Sequence, residues 1–142
     1  MIVNPKKKKG KYSLFIVVIG LVIVLLDIFL QTYYRFSNFG VANSGVSFGL
    51  AQNISFWVLI VPAIIFLGYM TALIRRGMAV NVFLIVLGFG AIGNMLPRLI
   101  FGDVWDYIYF NSVGLWVNLS DLLISFSVLS YILSPDGTAN TI

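Results

Sequence analysis

The chain reads as an all-α membrane protein with four spans and a small polar face on one side, and three observations predict this. Of its 142 residues, 60% are hydrophobic and only 10% are charged, with a mean hydropathy of +0.99. A soluble domain of this size carries about 25% charged residues, and so small a chain cannot hide that much apolar surface in its own core. The apolar residues fall into four long runs, and all five Lys lie together at Lys6–Lys9 and Lys11, ahead of the first run.

Residues 1–11 form a short basic tail. The first apolar run, about 13–30, is broken only by Asp27 and suits a span of roughly 20 residues. A cleaved signal peptide has the same basic-then-apolar order. This run is longer than an h-region of about 7–15 residues and no small-x-small site follows Leu26, so it reads as a retained helix. Residues 31–55 form a long loop mixing Tyr33, Tyr34, Phe36, Phe39 and Phe48 with Asn, Ser and Gly, as expected near a membrane interface. The second span is about 56–74 and stops at Arg75-Arg76-Gly77, which suits a helix end and turn. The third, about 78–96, is expected to stop at Pro97, which removes an N–H and disfavours helix before it. The loop 97–112 follows, with strand-like alternation in DVWDYIYF, and the fourth span, about 113–133, ends at Ser134-Pro135. The whole chain is read as one membrane domain. Seven basic residues lie on one side of these spans, and Arg35 and Arg98 on the other. The positive-inside rule then makes both termini cytoplasmic and puts both polar loops outside.

Composition removes several kinds of chemistry. The chain has no His, Cys or Glu. Zinc sites, Cys nucleophiles, Ser-His-Asp triads and disulfides are disfavoured. No Ser–Lys pair suggests itself, because every Lys falls on the side opposite the polar loops. The net charge of +4 is concentrated in the tail and fits anionic lipid headgroups rather than nucleic acid.

All five acids are Asp, and three of them, Asp103, Asp106 and Asp121, lie between Gly90 and Asp121. Acids near membrane depth are costly unless paired or hydrated. Asp106 sits in the aromatic stretch, and Asp121 is expected about two turns into the fourth span, with Asn118 on the same face. If the two acids meet, both cannot ionise easily, and a shared proton suits aspartyl peptide hydrolysis. The residues leave a second reading open, in which Asp106 is a solvated loop acid and Asp121 pairs with Arg98. A transporter pathway is disfavoured, since only Asp27 and Asp121 fall within spans, both near the outer ends.

Four segments in order carry a resemblance. Asn43-Ser44-Gly45-Val46-Ser47-Phe48-Gly49 resembles an NxGxxFG segment. Gly93-Asn94 with Arg98, Gly102, Val104 and Asp106 resembles GNxxDRxxxGxVxDF, and Val117–Asp121 resembles FNxAD. Asp27 is similar to a first-helix Asp. These are the segments of lipoprotein signal peptidases (signal peptidase II), and the resemblance spans nearly the whole chain. It implies that Asp106 and Asp121 are the catalytic pair. Asn43, Asn94, Arg98 and Asn118 would line the site and hold substrate or orient the acids, with Asp27 in support. The implied reaction is removal of the signal peptide from prolipoproteins before a diacylglyceryl-modified Cys, in the bacterial cytoplasmic (inner) membrane, with the site on the extracytoplasmic face. The implied partners are that substrate and membrane lipids. No cofactor, metal or nucleic acid is expected, and the chain is expected to be a monomer with a β-rich platform from the first outer loop. Three departures matter. Pro97 stands where the family has Asp, Gln31 stands where the first helix often has Lys, and Tyr107, Val117 and Ser120 replace Phe, Phe and Ala. Pro97 keeps a catalytically inactive relative that binds lipidated peptides as the alternative. Trp105, Tyr107, Tyr109 and Trp116 read as an interfacial belt, Ser125, Ser127 and Ser130 as helix-packing residues, and Gly45 and Gly49 as turns or points of close peptide approach. Asp27 is either substrate-facing, helix-tethering or a snorkelling acid.

Overall fold

The computed structural model describes residues 5–45, 61, 63–66, 68, 69, 71, 72 and 82–133. Most of the second expected span, residues 46–55 with Gly49, the Arg75-Arg76 turn and the chain end after 133 lie outside the described residues. Within 61–72, the described residues are helical.

Helix α1 runs Pro5–Phe36. Only every third or fourth residue of its outer half is buried: Gly20, Val24, Asp27 and Gln31 form one stripe. The flanks, including Leu14, Phe15, Leu21, Leu25 and Phe29, are exposed. The helix extends past the expected end at residue 30, so Gln31 and Arg35 belong to it rather than to a loop. It closes with Phe39 N–H bonded to the Tyr34 carbonyl at 3.0 Å and Asn38 at φ 54°. Gly40 follows at φ 112°, where an added Cβ would lie 2.3 Å from the Asp106 carbonyl oxygen. The chain then enters β1 (Val41–Asn43).

Helix α2 is Val82–Phe101. It passes through Pro97, where the sequence led us to expect a stop. A proline inside a helix leaves the carbonyl four residues earlier without its donor. Here that carbonyl, Gly93 O, receives Gln31 Nε2 from α1 at 3.5 Å. The helix ends four residues later at Phe101, and Gly102 follows with φ 85° and its N–H bonded to the Arg98 carbonyl at 3.1 Å. Three short strands follow, β2 (Val104–Asp106), β3 (Ile108–Phe110) and β4 (Leu115–Val117). Strand β1 pairs antiparallel with β2, Val41 facing Asp106 and Asn43 facing Val104. Strands β3 and β4 form a hairpin with Tyr109 opposite Trp116. Both polar loops thus contribute strands.

Helix α3 is Leu119–Leu133. The apolar run from 113 begins as hairpin, so the helix starts six residues later than expected and Asp121 falls in its first turn. Helices α2 and α3 touch closely. A Cβ on Gly93 would lie 2.0 Å from Ser120 Oγ, so only glycine permits this approach. Further along, the Ser127 hydroxyl donates to the Phe83 carbonyl, consistent with a packing serine.

Burial is inverted relative to a water-soluble domain. Among the described residues, the buried hydrophobic side chains are Val24, Val104, Tyr107 and Val117, while Asp27, Gln31, Asn94, Asp106, Asn118, Ser120 and Ser127 are buried polar groups. Large apolar side chains cover the outside of the helices. Helices α1 (from Leu14) and α2 are long and apolar enough to cross a membrane. Lipid as solvent explains both the apolar exterior and a polar interior held together by hydrogen bonds.

Candidate active site

The site is built where β2 and the start of α3 meet. Asn118 stands just before α3 as its N-cap. Its Oδ1 accepts from the Asp121 N–H at 2.9 Å, and Asp121 Oδ2 accepts from the Asn118 N–H at 3.4 Å. This reciprocal pair is a capping box, made here by Asn and Asp. It is why Asn-x-x-Asp at the mouth of an apolar run gives a fixed carboxylate. The same Asn118 uses Nδ2 to reach Asp106 Oδ1 at 2.7 Å. One side chain therefore touches both acids.

Asp106 comes from the end of β2 and is 2% exposed. Its second oxygen accepts from Asn43 Nδ2 at 2.9 Å. Asn43 and Asp106 are diagonal neighbours on one face of the β1–β2 pair. Asn43 is itself held by Gly45 N–H on its Oδ1 at 3.1 Å. Burial raises the Asp106 pKa to about 6, opposed by the Asn43 hydrogen bond and assisted by the Asp121 charge. Asp121 takes a further bond from Asn94 Nδ2 at 2.7 Å across the α2–α3 contact. Arg98, one turn after Asn94, donates to the carbonyls of Asn94 (2.9 Å) and Gly45 (2.7 Å) rather than to Asp121. Asn94 Oδ1 and Arg98 Nε are buried without a partner among the described residues.

Asp27 is fully buried beneath the pair. Its Oδ1 accepts from the Tyr107 hydroxyl (2.7 Å) and the Leu119 N–H (3.2 Å). Its Oδ2 accepts from Gln31 Nε2 (2.9 Å), the Ser120 N–H (3.2 Å) and the Ser120 hydroxyl. An anion at a helix N-terminus with exposed N–H groups is the expected partner for them. Asp27 thus tethers α1 to the first turn of α3 and presents no face to a substrate. Asp103, adjacent to the site in sequence, pairs with Arg35, whose guanidinium lies over Phe101 and Trp105 at 4.5 and 5.1 Å. It does not stand in for the acid that Pro97 replaces.

All seven expected site residues lie in this region, with Asp27 in a supporting layer below the others. The sequence reading missed Gln31, Tyr107 and Ser120. Tyr107 is buried, not interfacial; it stacks on Tyr34 at 5.2 Å and its pKa is raised by burial and by Asp27. A hydroxyl at both family departures, Tyr for Phe and Ser for Ala, was the available signal. Among the described residues, no group of His, Cys, Asp and Glu could hold a metal.

Fold and site together define a helical membrane protein whose polar interior holds Asp106 and Asp121 among the side-chain amides of Asn43, Asn94 and Asn118, with Asp27 buried below them. The family model for signal peptidase (SPase) II matches residues 20–135. The lipoprotein signal peptidase of Bartonella bacilliformis is 32% identical over 144 aligned residues, covering 85% of this chain and 87% of that one. That of Brevibacillus brevis is 28% identical over 109 residues, covering 74% and 68%. Two solved structures described as bacterial membrane enzymes share the fold. Their TM-scores are 0.71 and 0.68, each at 20% identity, covering 84% and 86% of this chain and 86% and 94% of theirs. The chain belongs to the signal peptidase II family.

Proposed function

We propose that this chain is an intramembrane aspartyl endopeptidase that removes the signal peptide from prolipoproteins before a diacylglyceryl-modified cysteine. The observation that carries the reading is Asn118, which hydrogen-bonds Asp106 with its side chain and Asp121 with its backbone. Asp106 and Asp121 are the catalytic residues. The pair holds one proton between them, because two carboxylates in a desolvated site do not both ionise readily. The ionised member takes a proton from water as the water oxygen bonds to the scissile carbonyl carbon. The protonated member gives its proton to the carbonyl oxygen, forming a neutral diol. Return of a proton to the peptide nitrogen lets the C–N bond break, and the new carboxyl and amine leave. Neutral amides around the acids hold them without adding charge at membrane depth. Asn94, bonded to Asp121, and Arg98, one turn further along α2, orient the acids and line the site.

In this reading the chain has four spans with both termini cytoplasmic. It works as a monomer in the inner membrane, with the site facing outward, where a lipid-anchored substrate arrives by lateral diffusion. Pro97 motivates the one competing reading, a relative that binds lipidated peptides without cutting them. Single-turnover cleavage of a diacylglyceryl-modified prolipoprotein peptide by the purified protein tests both. Cleavage before the modified cysteine, lost in Asp106→Asn and Asp121→Asn, supports the peptidase. A bound but intact peptide supports the other.

A further inference from the structure

Two residues that depart from the family pattern, Gln31 and Pro97, meet in space. Pro97 has no N–H, and the carbonyl it leaves open is that of Gly93, four residues back in α2. Gln31 Nε2 reaches that oxygen at 3.5 Å and Asp27 Oδ2 at 2.9 Å. Its Oε1 accepts the backbone N–H of Trp105 at 3.3 Å. Trp105 is the residue before Asp106, on β2. The three bonds join α1, the helix that carries Asn94, and the strand that carries Asp106. Gln31 is 2% exposed, so no water substitutes for these partners.

We propose that Gln31 is a positioning residue for the catalytic pair and that it is matched to Pro97. This rests on the peptidase reading above. The side chain must donate twice and accept once. A lysine at this position has donors only and leaves the Trp105 N–H without an acceptor in a buried setting. A glutamine beside a non-proline helix loses one of its tasks, because residue 97 then serves Gly93 itself. The two positions are therefore coupled through one carbonyl oxygen, and Gln31 fixes the height of β2 against α2.

The test is a double-mutant cycle of Gln31→Met and Pro97→Ala in the full chain, with Gln31→Lys as a third variant that keeps donors, on a side chain one atom longer, and has no acceptor. Two quantities are read: kcat and KM for the lipidated peptide, and hydrogen exchange at the Trp105 amide. Gln31→Met is expected to lower kcat about tenfold, the size of one or two buried hydrogen bonds, with KM little changed and Trp105 protection lost. In the Pro97→Ala background the same substitution is expected to cost several-fold less. Gln31→Lys is expected to retain the fold yet show the kcat loss and the unprotected Trp105. Additive losses in the cycle, or a change in KM alone, overturn the inference while leaving a cleaving parent protein intact. If the parent does not cleave, the peptidase reading falls. Exchange at the Trp105 amide then decides the positioning role by itself: protection lost in Gln31→Met supports it, and protection kept overturns it.

Discussion

Asp27→Asn removes one charge and almost no volume, so its cost can be worked from the hydrogen bonds. The carboxylate accepts five donors, three on Oδ2 and two on Oδ1. Asparagine offers one oxygen and one NH2. With the oxygen placed at the Oδ2 position it keeps Gln31 and both Ser120 donors. Its NH2 then faces the Tyr107 hydroxyl, which rotates to accept, and the Leu119 N–H, which cannot. One buried N–H is left unpartnered, at about 1–3 kcal/mol. Loss of the negative charge at the α3 N-terminus adds about 0.5–2 kcal/mol. The opposite placement orphans two N–H groups and is worse. The expected destabilisation is therefore about 1.5–5 kcal/mol, a large share of a typical total of about 5–15 kcal/mol. Reversible denaturant titration in mixed micelles reads the stability, and hydrogen exchange at the Leu119 amide locates the damage. A variant within about 0.5 kcal/mol of the parent, with Leu119 still protected, refutes the tethering role of Asp27.

Other outcomes follow from the same geometry. Asp106→Asn and Asp121→Asn are each expected to lower single-turnover cleavage by at least about 1,000-fold, roughly 4 kcal/mol of barrier, while leaving peptide binding measurable by titration. With Asp106 held up to about 6, kcat/KM should fall on the alkaline side as the pair's last proton leaves. Asn43→Ala, which removes a bond favouring the ionised Asp106, should move that limb to higher pH; a limb that stays put or moves down contradicts the assignment. For stability the sign is opposite to that of a salt-bridged acid. Between about 4 and about 6 the folded chain keeps a proton that the unfolded chain has released, so stability declines as pH rises through that window, and Asp106→Asn should flatten the slope seen in unfolding titrations. Tyr107→Phe should cost about 1 kcal/mol in the micelle titration. Gly93→Ala, with its Cβ driven onto Ser120 Oγ, should cost about 1–3 kcal/mol and lower activity together with stability.

The apolar runs were legible as helices because a span announces itself by length and composition alone. Their ends were not. Residues 115–117 belong to the apolar run that begins at 113, yet pair with 108–110 as a hairpin, and apolarity cannot tell a short strand from a helix start. Pro97 was read as a stop because the group that relieves it, Gln31, lies far away in sequence on another helix. Asp106, Asp121 and the four polar residues beside them came from recognising segments in order, since two aspartates fifteen apart carry little signal. Ser120 and Tyr107 stayed hidden for a different reason. A serine in a helix and a tyrosine near an interface each have an ordinary explanation, and only the buried Asp27 carboxylate between them shows otherwise.

The box formed by Asn118 and Asp121 ties chemistry to mechanics. In the proposed reaction Asp121 carries a proton, and in the fold it closes the first turn of α3. In the proposed cycle its carboxyl changes protonation, and each change weakens or restores its hold on the Asn118 N–H. Asn118 also grips Asp106, so a slackened turn is felt at the other acid without any rearrangement of the helices. Every turnover would then loosen and retighten one bond at the end of a helix whose remaining length is anchored through Ser127. The moving part of such an enzyme would be a single helical turn, small enough to operate inside a bilayer that resists larger motion.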